Sequence, residues 1–386
     1  MKRLLLVVAD SQYFLSHRLA LCEYLIAKGF EVFVVTDILR DEHRDIIQSK
    51  GIKLLDLPSR PSSIGLLYSL KVIRYLSKVA RNIKPDVILS ISIRVSFLSM
   101  MARYISFSAR SFHYSLVTGM GFLYTNQSDI FRLVRFFVRS IIKVITLSQY
   151  FYLIAQNHDD YSDLSKLTHP RKVFLVLGSG VDTIKYVPRL RTESKPVIVS
   201  MVSRMLKDKG VGELVEAANI IHARSDQEII IQLVGDSHIF NPNSFTREQL
   251  ESWNNLAYIR WLGPQEDIAS IYQESDIAIL PSYREGLPMS LLEAASCGLP
   301  IITTNTAGCR EICKHGVNGL LVNVKDAHAL ADAILNLASH NILRQKMGMK
   351  SRSMAVDKFS TTVIFQEMFK ILSKEKIYDI QQVTAK

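Results

Sequence analysis

Two glutamates eight residues apart, Glu285 and Glu293, sit in the most heavily punctuated stretch of this 386-residue sequence, IAILPSYREGLPMSLLEAASCGLPII from Ile277 to Ile302. The pattern predicts a buried strand ending at Leu280, a loop, and a small-residue helix with Pro288 at its first position and Gly298 just past its end. The start of such a helix carries unpaired N–H groups and partial positive charge, which suits a phosphate. A carboxylate only accepts hydrogen bonds, so Glu285 in the loop and Glu293 in the helix suit the hydroxyls of a sugar and a ribose. With Gly286, Leu287 and Pro288 at the helix entrance, they would grip both ends of a sugar nucleotide. The alternative is that Glu285 is a first-turn helix anion and Glu293 a salt-bridged surface residue. The Gly286, Pro288, Gly298 and Pro300 punctuation weighs against it.

A second stretch, SRMLKDKG from Ser203 to Gly210, follows another predicted strand and puts Arg204 and Lys209 in a loop before a helix. Two cations there can neutralise a departing diphosphate. The alternative is a pair of solvated surface cations.

The elements that must position these residues alternate throughout. Strands are predicted at 4–8, 31–35, 53–55, 87–90, 111–113, 144–147 and 173–176, then at 197–201, 229–234, 257–261, 277–280, 301–303 and 319–322. Helical patterns separate them, among them Ser16 to Ala27, capped by Ser16, and Leu66 to Asn82. This βαβα alternation predicts an α/β fold with two doubly wound parallel sheets, whose ligands bind beyond the carboxyl ends of the strands. The expected domains are 1–180 and 181–358, joined near VDTIKYVPRLRTESKP, with 359–386 a helix packing back on the first domain. Asp10 stops the first apolar run, so Leu4 to Val8 reads as a buried strand and not as a secretory leader. Cys22, Cys297, Cys309 and Cys313 lack zinc-like spacing and read as reduced thiols.

Charge is unevenly spread. Residues 1–180 hold 24 Lys/Arg against 13 Asp/Glu, whereas 181–386 hold 23 of each, so the first half carries the whole net charge of +11. An anionic partner is expected on that half. Arg132, Arg135, Arg139 and Lys143 lie within an arc of roughly 80° on an otherwise apolar helix, FRLVRFFVRSIIKVI. Such a stripe is a membrane-surface signature, and the alternative is a buried helix whose one wet face is basic. Nucleic acid is not expected, because no helix-turn-helix, zinc or RNP-like motif appears.

The segment PSYREGLP…LEA…CGLPI, with GCREI…GVNGLLV after it, resembles the E-x7-E region of retaining glycosyltransferases of family 4, which have the GT-B fold. Among them it resembles PglA-like enzymes that extend polyprenyl-diphosphate-linked glycans. The resemblance spans nearly the whole chain and is most specific between Met201 and Val322. It implies two Rossmann-like domains facing a cleft. It also implies a nucleotide-sugar donor, UDP-linked and carrying a HexNAc, a lipid-linked undecaprenyl-diphosphate glycan as acceptor, and no cofactor. Arg204 and Lys209 match the family's diphosphate-binding pair, and Glu285 would orient the donor sugar. Gly235 and Asp236 match a strand end near the nucleotide base.

On the acceptor side the resemblance implies roles for His17 and Arg18, expected at the start of the helix after the first strand, and for Thr118 and Gly119 in the loop VTGMGF. The GSGVD turn containing Gly178, Gly180 and Asp182 would serve as hinge and architecture. The sequence has no D-x-D pair, the metal-holding device of GT-A transferases, so a metal-independent reaction is expected. A cytoplasmic protein held peripherally on the inner face of the plasma membrane follows. The competing readings are a GT-B-like sugar-nucleotide epimerase and a non-catalytic sugar-nucleotide-binding scaffold.

Overall fold

Runs such as Val87–Ile91 and Ile229–Val234 are apolar at nearly every position and buried along their whole length. Strands of that kind need cover on both faces, the habit of parallel sheets. The computed structural model, which describes residues 1–57, 65–106, 111–119, 129–189, 196–238 and 241–373, contains two all-parallel sheets in two units.

Unit 1 comprises Met1–Ser179 and Phe365–Lys386. Its strands are β1 (Lys2–Asp10), β2 (Phe30–Asp37), β3 (Lys53–Asp56), β4 (Val87–Ile91), β5 (Phe112–Val117), β6 (Phe151–Ala155) and β7 (Val173–Leu175), in the order β3-β2-β1-β4-β5-β6-β7. Its helices are α1 (Ser11–His17), α2 (Leu19–Ala27), α3 (Asp41–Ser49), α4 (Leu66–Ile83), α5 (Ile93–Ile105), α6 (Asp129–Thr146) and α7 (His158–Leu167).

Unit 2 comprises Gly180–Ile364. Strands β8 (Val197–Val202), β9 (Ile229–Val234), β10 (Ile259–Gly263), β11 (Ile277–Leu280), β12 (Ile301–Thr304) and β13 (Gly319–Val322) lie in the order β10-β9-β8-β11-β12-β13. Helices α8 (Val211–Arg224), α9 (Arg247–Trp253), α10 (Ile268–Gln273), α11 (Met289–Ser296), α12 (Ala307–Ile312), α13 (Ala327–Ser339) and α14 (Asn341–Phe359) accompany them. In each sheet the order reverses once, between β1 and β4 and between β8 and β11. Doubly wound sheets bind ligands beyond such a switch point.

Three expectations need correction. Residues 144–147 are not a strand: α6 runs through Thr146, and Val144 and Leu147 are exposed. The strand after α6 is β6, which starts at Phe151 and lies between β5 and β7. The helix after β1 begins at Ser11, capped by the Asp10 side chain, which accepts the Tyr13 N–H at 2.8 Å. Ser16 is not its cap, because the Ser16 hydroxyl donates back to the Gln12 carbonyl.

The third correction concerns the divisions, which fall at Ser179/Gly180 and Ile364/Phe365 and not at 180/181 and 358/359. Val181 donates to the Phe359 carbonyl and accepts from the Thr361 N–H, so 359–361 still belong with unit 2. Gly180 (φ 83°) lies so close to Thr361 that an added Cβ would meet its Cα at 2.9 Å, which explains the glycine. Helix α15 (Thr361–Leu372) therefore passes from one unit to the other. Its later turns bury Phe365, Met368, Ile371 and Leu372. Each such side chain contributes about 1.5–3 kcal/mol. The Tyr114 hydroxyl of β5 closes the contact by donating to the Ile371 carbonyl at 2.9 Å.

All four cysteines are free and buried. Burial pushes the Cys309 thiol up to about 11 and those of Cys22, Cys297 and Cys313 up to about 12, so they stay protonated.

Candidate functional site

The switch point of unit 2 is built by the loops that leave β8 and β11. The β8 loop makes a tight turn over Lys207–Lys209 and ends at Gly210 in the left-handed region (φ 78°). A Cβ on Gly210 would collide with the Pro281 carbonyl, so glycine lets the two loops touch. The contact is then stitched by hydrogen bonds. The Tyr283 N–H and the Ser282 hydroxyl both donate to the Asp208 carbonyl, at 2.9 and 3.2 Å. The Tyr283 hydroxyl donates to the Glu213 carboxylate at the start of α8. Arg284 lies 3.6 Å from Asp208. From the next element, the Gly308 N–H at the start of α12 donates to the Glu285 carbonyl at 3.3 Å.

This scaffold brings Lys209 and Glu285 into an ion pair, Nζ to Oε1 2.5 Å, with only 16% and 13% of the side chains exposed. A partly buried pair holds each partner in place, because removing one leaves the other an uncompensated charge. This bond uses one ammonium hydrogen of Lys209 and one oxygen of Glu285. Arg204, at the start of the same loop, is exposed.

The helix that follows Glu285, Gly286 and Leu287 starts one residue later than predicted. Pro288 is the N-cap of α11 and not its first turn residue, and no side chain caps the helix. Its free N–H groups are thus not claimed by a local side chain.

Glu293 lies in the second turn of α11 and is mostly buried. Its carboxyl is pushed up to about 7 by burial, against the opposing pull of nearby Tyr186 and Lys185. Gly235 (φ 138°) follows β9. Its N–H donates to the Gly263 carbonyl and its own carbonyl accepts from the Trp261 indole at 2.8 Å. A Cβ there would strike the Ser203 carbonyl, so close packing under the β8 loop accounts for this glycine. Asp236 accepts the Met205 N–H on its carbonyl at 3.1 Å, which fastens the same loop.

In unit 1, His17 does not open a helix, whereas Arg18 is the N-cap of α2. His17 closes α1, and the backbone breaks at Arg18 (φ −129°, ψ −19°) before α2. The His17 ring stacks on Tyr13 with centroids 4.4 Å apart, and burial together with Arg18 pushes its pKa down to about 4, which keeps it neutral at pH 7. Arg18 is only 2% exposed and donates to the Tyr13 hydroxyl at 3.0 Å. Thr118 and Gly119 (φ 129°) follow the carboxyl end of β5, and the rest of their loop, 120–122, lies outside the described residues.

Helix α6 is not a buried helix whose one wet face is basic. Arg132, Arg139 and Lys143 are exposed and Arg135 is half-buried, but Leu133, Phe136, Phe137 and Val144 are also exposed, Phe136 at 65%. At about 100° per residue these apolar positions form a second stripe beside the basic one. Ile142 and Ile145 on the opposite side anchor the helix to Phe151 and Leu153 of β6. Among the described residues no helix is long and apolar enough to cross a membrane.

Tyr186, Asp208, Glu213 and Tyr283 were not singled out from sequence. Tyr283 stands in PSYREG, but nothing in that string shows which carboxylate the tyrosine meets.

Residues 182–354 match the family described as glycosyl transferases group 1, and residues 3–156 match the family described as glycosyl transferase 4-like. The chain is 26% identical, over 94% of its length and 98% of the relative's, to N,N'-diacetylbacillosaminyl-diphospho-undecaprenol alpha-1,3-N-acetylgalactosaminyltransferase of Campylobacter jejuni. It is 24% identical, over 76% of both chains, to UDP-Gal:alpha-D-GlcNAc-diphosphoundecaprenol alpha-1,3-galactosyltransferase of Escherichia coli. Among solved structures, Anabaena HepE in complex with UDP and glucose superposes with a TM-score of 0.74 at 17% identity, over 97% of this chain and 100% of that one.

Proposed function

The chain belongs to the family 4 glycosyltransferases of the GT-B fold, and from that premise we propose that it transfers a HexNAc from a UDP-sugar to an undecaprenyl-diphosphate-linked glycan, with retention of anomeric configuration. The named activities of the Campylobacter and Escherichia relatives support this acceptor class, and the former supports the HexNAc. The observation that carries the reading is the Lys209–Glu285 pair, locked by two loops at the switch point of unit 2. Lys209 and Arg204 neutralise the departing nucleoside diphosphate, with the start of α11 as a further source of positive potential. Glu285, held by Lys209, accepts hydroxyl hydrogens of the donor sugar and fixes its orientation. Glu293 accepts from the ribose. Catalysis is then mainly electrostatic: the bond from the anomeric carbon to the diphosphate breaks, the acceptor hydroxyl oxygen bonds to that carbon on the same face, and its proton passes to the departing diphosphate oxygen. The absence of a D-x-D pair supports a reaction without a metal.

Unit 1 supplies the acceptor side. Thr118 and Gly119 directly follow the carboxyl end of β5, and His17 and Arg18 close the helix that follows β1. Helix α6 rests on an anionic membrane surface, with its basic stripe at the headgroups and Leu133, Phe136, Phe137 and Val144 entering the interface. That makes the protein peripheral to the membrane that carries its acceptor.

The test is to incubate the protein with UDP-GlcNAc or UDP-GalNAc, with and without a lipid-linked acceptor, and to weigh the products. Transfer that requires acceptor is expected. Epimerised nucleotide sugar formed without acceptor would overturn the reading, as would donor binding with no turnover on any lipid-linked glycan.

A further inference from the structure

The positive charge of unit 1 is concentrated in one layer. Helices α4, α5 and α6 lie side by side on its sheet. Leu98 and Ala102 of α5 share a buried cluster with Val72, Ile73 and Leu76 of α4, and Met100 of α5 shares another with Ile142 and Ile145 of α6. Phe97 and Met101 of α5 pack against both clusters. Helix α4 carries four Lys/Arg, α5 two and α6 four, and the only acid in the three helices is Asp129, at the first position of α6. This layer therefore holds most of the net charge of +11. It ends at α7, whose first half carries Asp159, Asp160 and Asp163.

The outer face of α4 has the same make-up as that of α6. Leu67, Leu70, Lys71, Arg74, Lys78 and Arg81 are all exposed, Leu67 at 83%. At about 100° per residue they fall within an arc of roughly 100°. Val72, Ile73, Leu76, Val79 and Ile83, on the opposite side, are buried. The four cations stand three or four residues apart, so each repels the next. Among the described residues Lys71, Arg74 and Lys78 form no ion pair. Elsewhere in unit 1, Arg44, Lys50 and Lys53 meet Asp56, Glu23 and Glu31. A face that is only solvated gains from mixed signs. A face that meets an anionic surface gains from a single sign, with apolar side chains beside it.

We infer that α4 is a second basic strip of the membrane-binding surface, with Lys71, Arg74, Lys78 and Arg81 meeting anionic phospholipid headgroups. This rests on the membrane role proposed for α6. Packed helices are about 8–10 Å apart, so two strips with α5 between them stand about 20 Å apart. Tyr104 and Ile105 of α5, both exposed, belong to the helix in that interval. One helix on a bilayer leaves the domain free to roll about the helix axis. Two side by side fix its tilt, and with it the height of the strand ends above the headgroups.

Co-sedimentation of the full chain with phosphatidylglycerol vesicles tests this, with phosphatidylcholine vesicles as the neutral control. The proteins are wild type, Lys71→Glu/Lys78→Glu, Arg139→Glu/Lys143→Glu and the quadruple variant. All four positions are exposed, and a melting curve checks that each variant is folded. The α4 pair should weaken binding to the anionic vesicles at least tenfold, as the α6 pair does, and the quadruple variant about a hundredfold or more. If Lys71→Glu/Lys78→Glu sediments like wild type while Arg139→Glu/Lys143→Glu does not, the inference fails and the membrane role of α6 stands. If wild type ignores anionic vesicles, that role fails and takes the inference with it. A dimer in light scattering that Lys71→Glu/Lys78→Glu dissociates, with vesicle binding unchanged, would make this face an interface between copies and would also overturn the inference.

Discussion

The two units use the same doubly wound plan for opposite electrostatic ends. Unit 2 has a balanced charge, and its key cation, Lys209, is spent on a carboxylate 2.5 Å away at the sheet's switch point. Unit 1 carries the net charge of the chain, and three cations of α6 stand in solvent beside exposed phenylalanines. A cation held by a partly buried partner acts at one place, with little reorganisation when charge develops. Cations on an exposed helix act on an extended surface, additively, and are weakened by salt. The fold fixes where strand ends lie; what each loop or helix does with its charges separates chemistry from attachment.

The largest effect should come from the pair. Glu285→Ala should lower kcat on the order of 10²–10³-fold, measured as turnover of nucleotide sugar, with membrane binding unchanged. Lys209→Ala should cost as much or more, since it removes a cation and leaves Glu285 uncompensated. Wild-type turnover in either folded variant would take the chemistry away from this switch point.

Next in size is attachment. Reversing Arg139 and Lys143, both exposed, should reduce co-sedimentation with phosphatidylglycerol vesicles at least tenfold, at ~1 kcal/mol per basic residue. Because apolar side chains share that face, wild-type binding should fall but not vanish in 1 M salt, where the Debye length is ~3 Å. Phe136→Ser with Phe137→Ser should remove the salt-resistant remainder. Full release of the wild type by salt would mean that the phenylalanines do not enter the interface.

A smaller effect concerns stability. The Glu293 carboxyl ionises near 4.5 in an unfolded chain and near 7 in the fold. The stability this shift contributes is present below pH 4.5 and is lost as pH rises through 7. Glu293→Gln should therefore be more stable than wild type at pH 8, by about 1–3 kcal/mol, and close to it at pH 5. Thermal melts at the two pH values check this, and equal differences at both would place the effect elsewhere. Smallest of all, EDTA should leave turnover unchanged. Loss of activity with rescue by Mg²⁺ or Mn²⁺ would restore a metal to the reaction.

Much of this was legible from residue order, and the reasons differ by region. In unit 2 the strands 229–234, 277–280 and 319–322 were read at their observed bounds, because apolar runs ended cleanly at Gly, Pro, Asn and charged residues. The residue types at Lys209 and Glu285 signalled charge chemistry, although their contact depends on the register of β8 against β11. In unit 1, Val144 to Leu147 looked like a strand because Val144, Ile145 and Thr146 are β-branched, yet it continues a helix whose outer face is itself apolar. Ser16 looked like a cap, but Asp10 comes first and takes the role. The Tyr283–Glu213 bond was invisible, since it joins segments far apart in sequence and a tyrosine in a predicted loop carries no sign of its partner.

The division of labour between the units is tested most directly by measuring turnover of the Arg139→Glu/Lys143→Glu variant on two acceptors, a short soluble analogue and the lipid-linked glycan embedded in anionic vesicles. Near wild-type turnover on the soluble analogue, with at least tenfold less on vesicles, is the predicted result. Equal loss on both acceptors in a folded protein would contradict it, because α6 would then serve the chemistry and not the membrane.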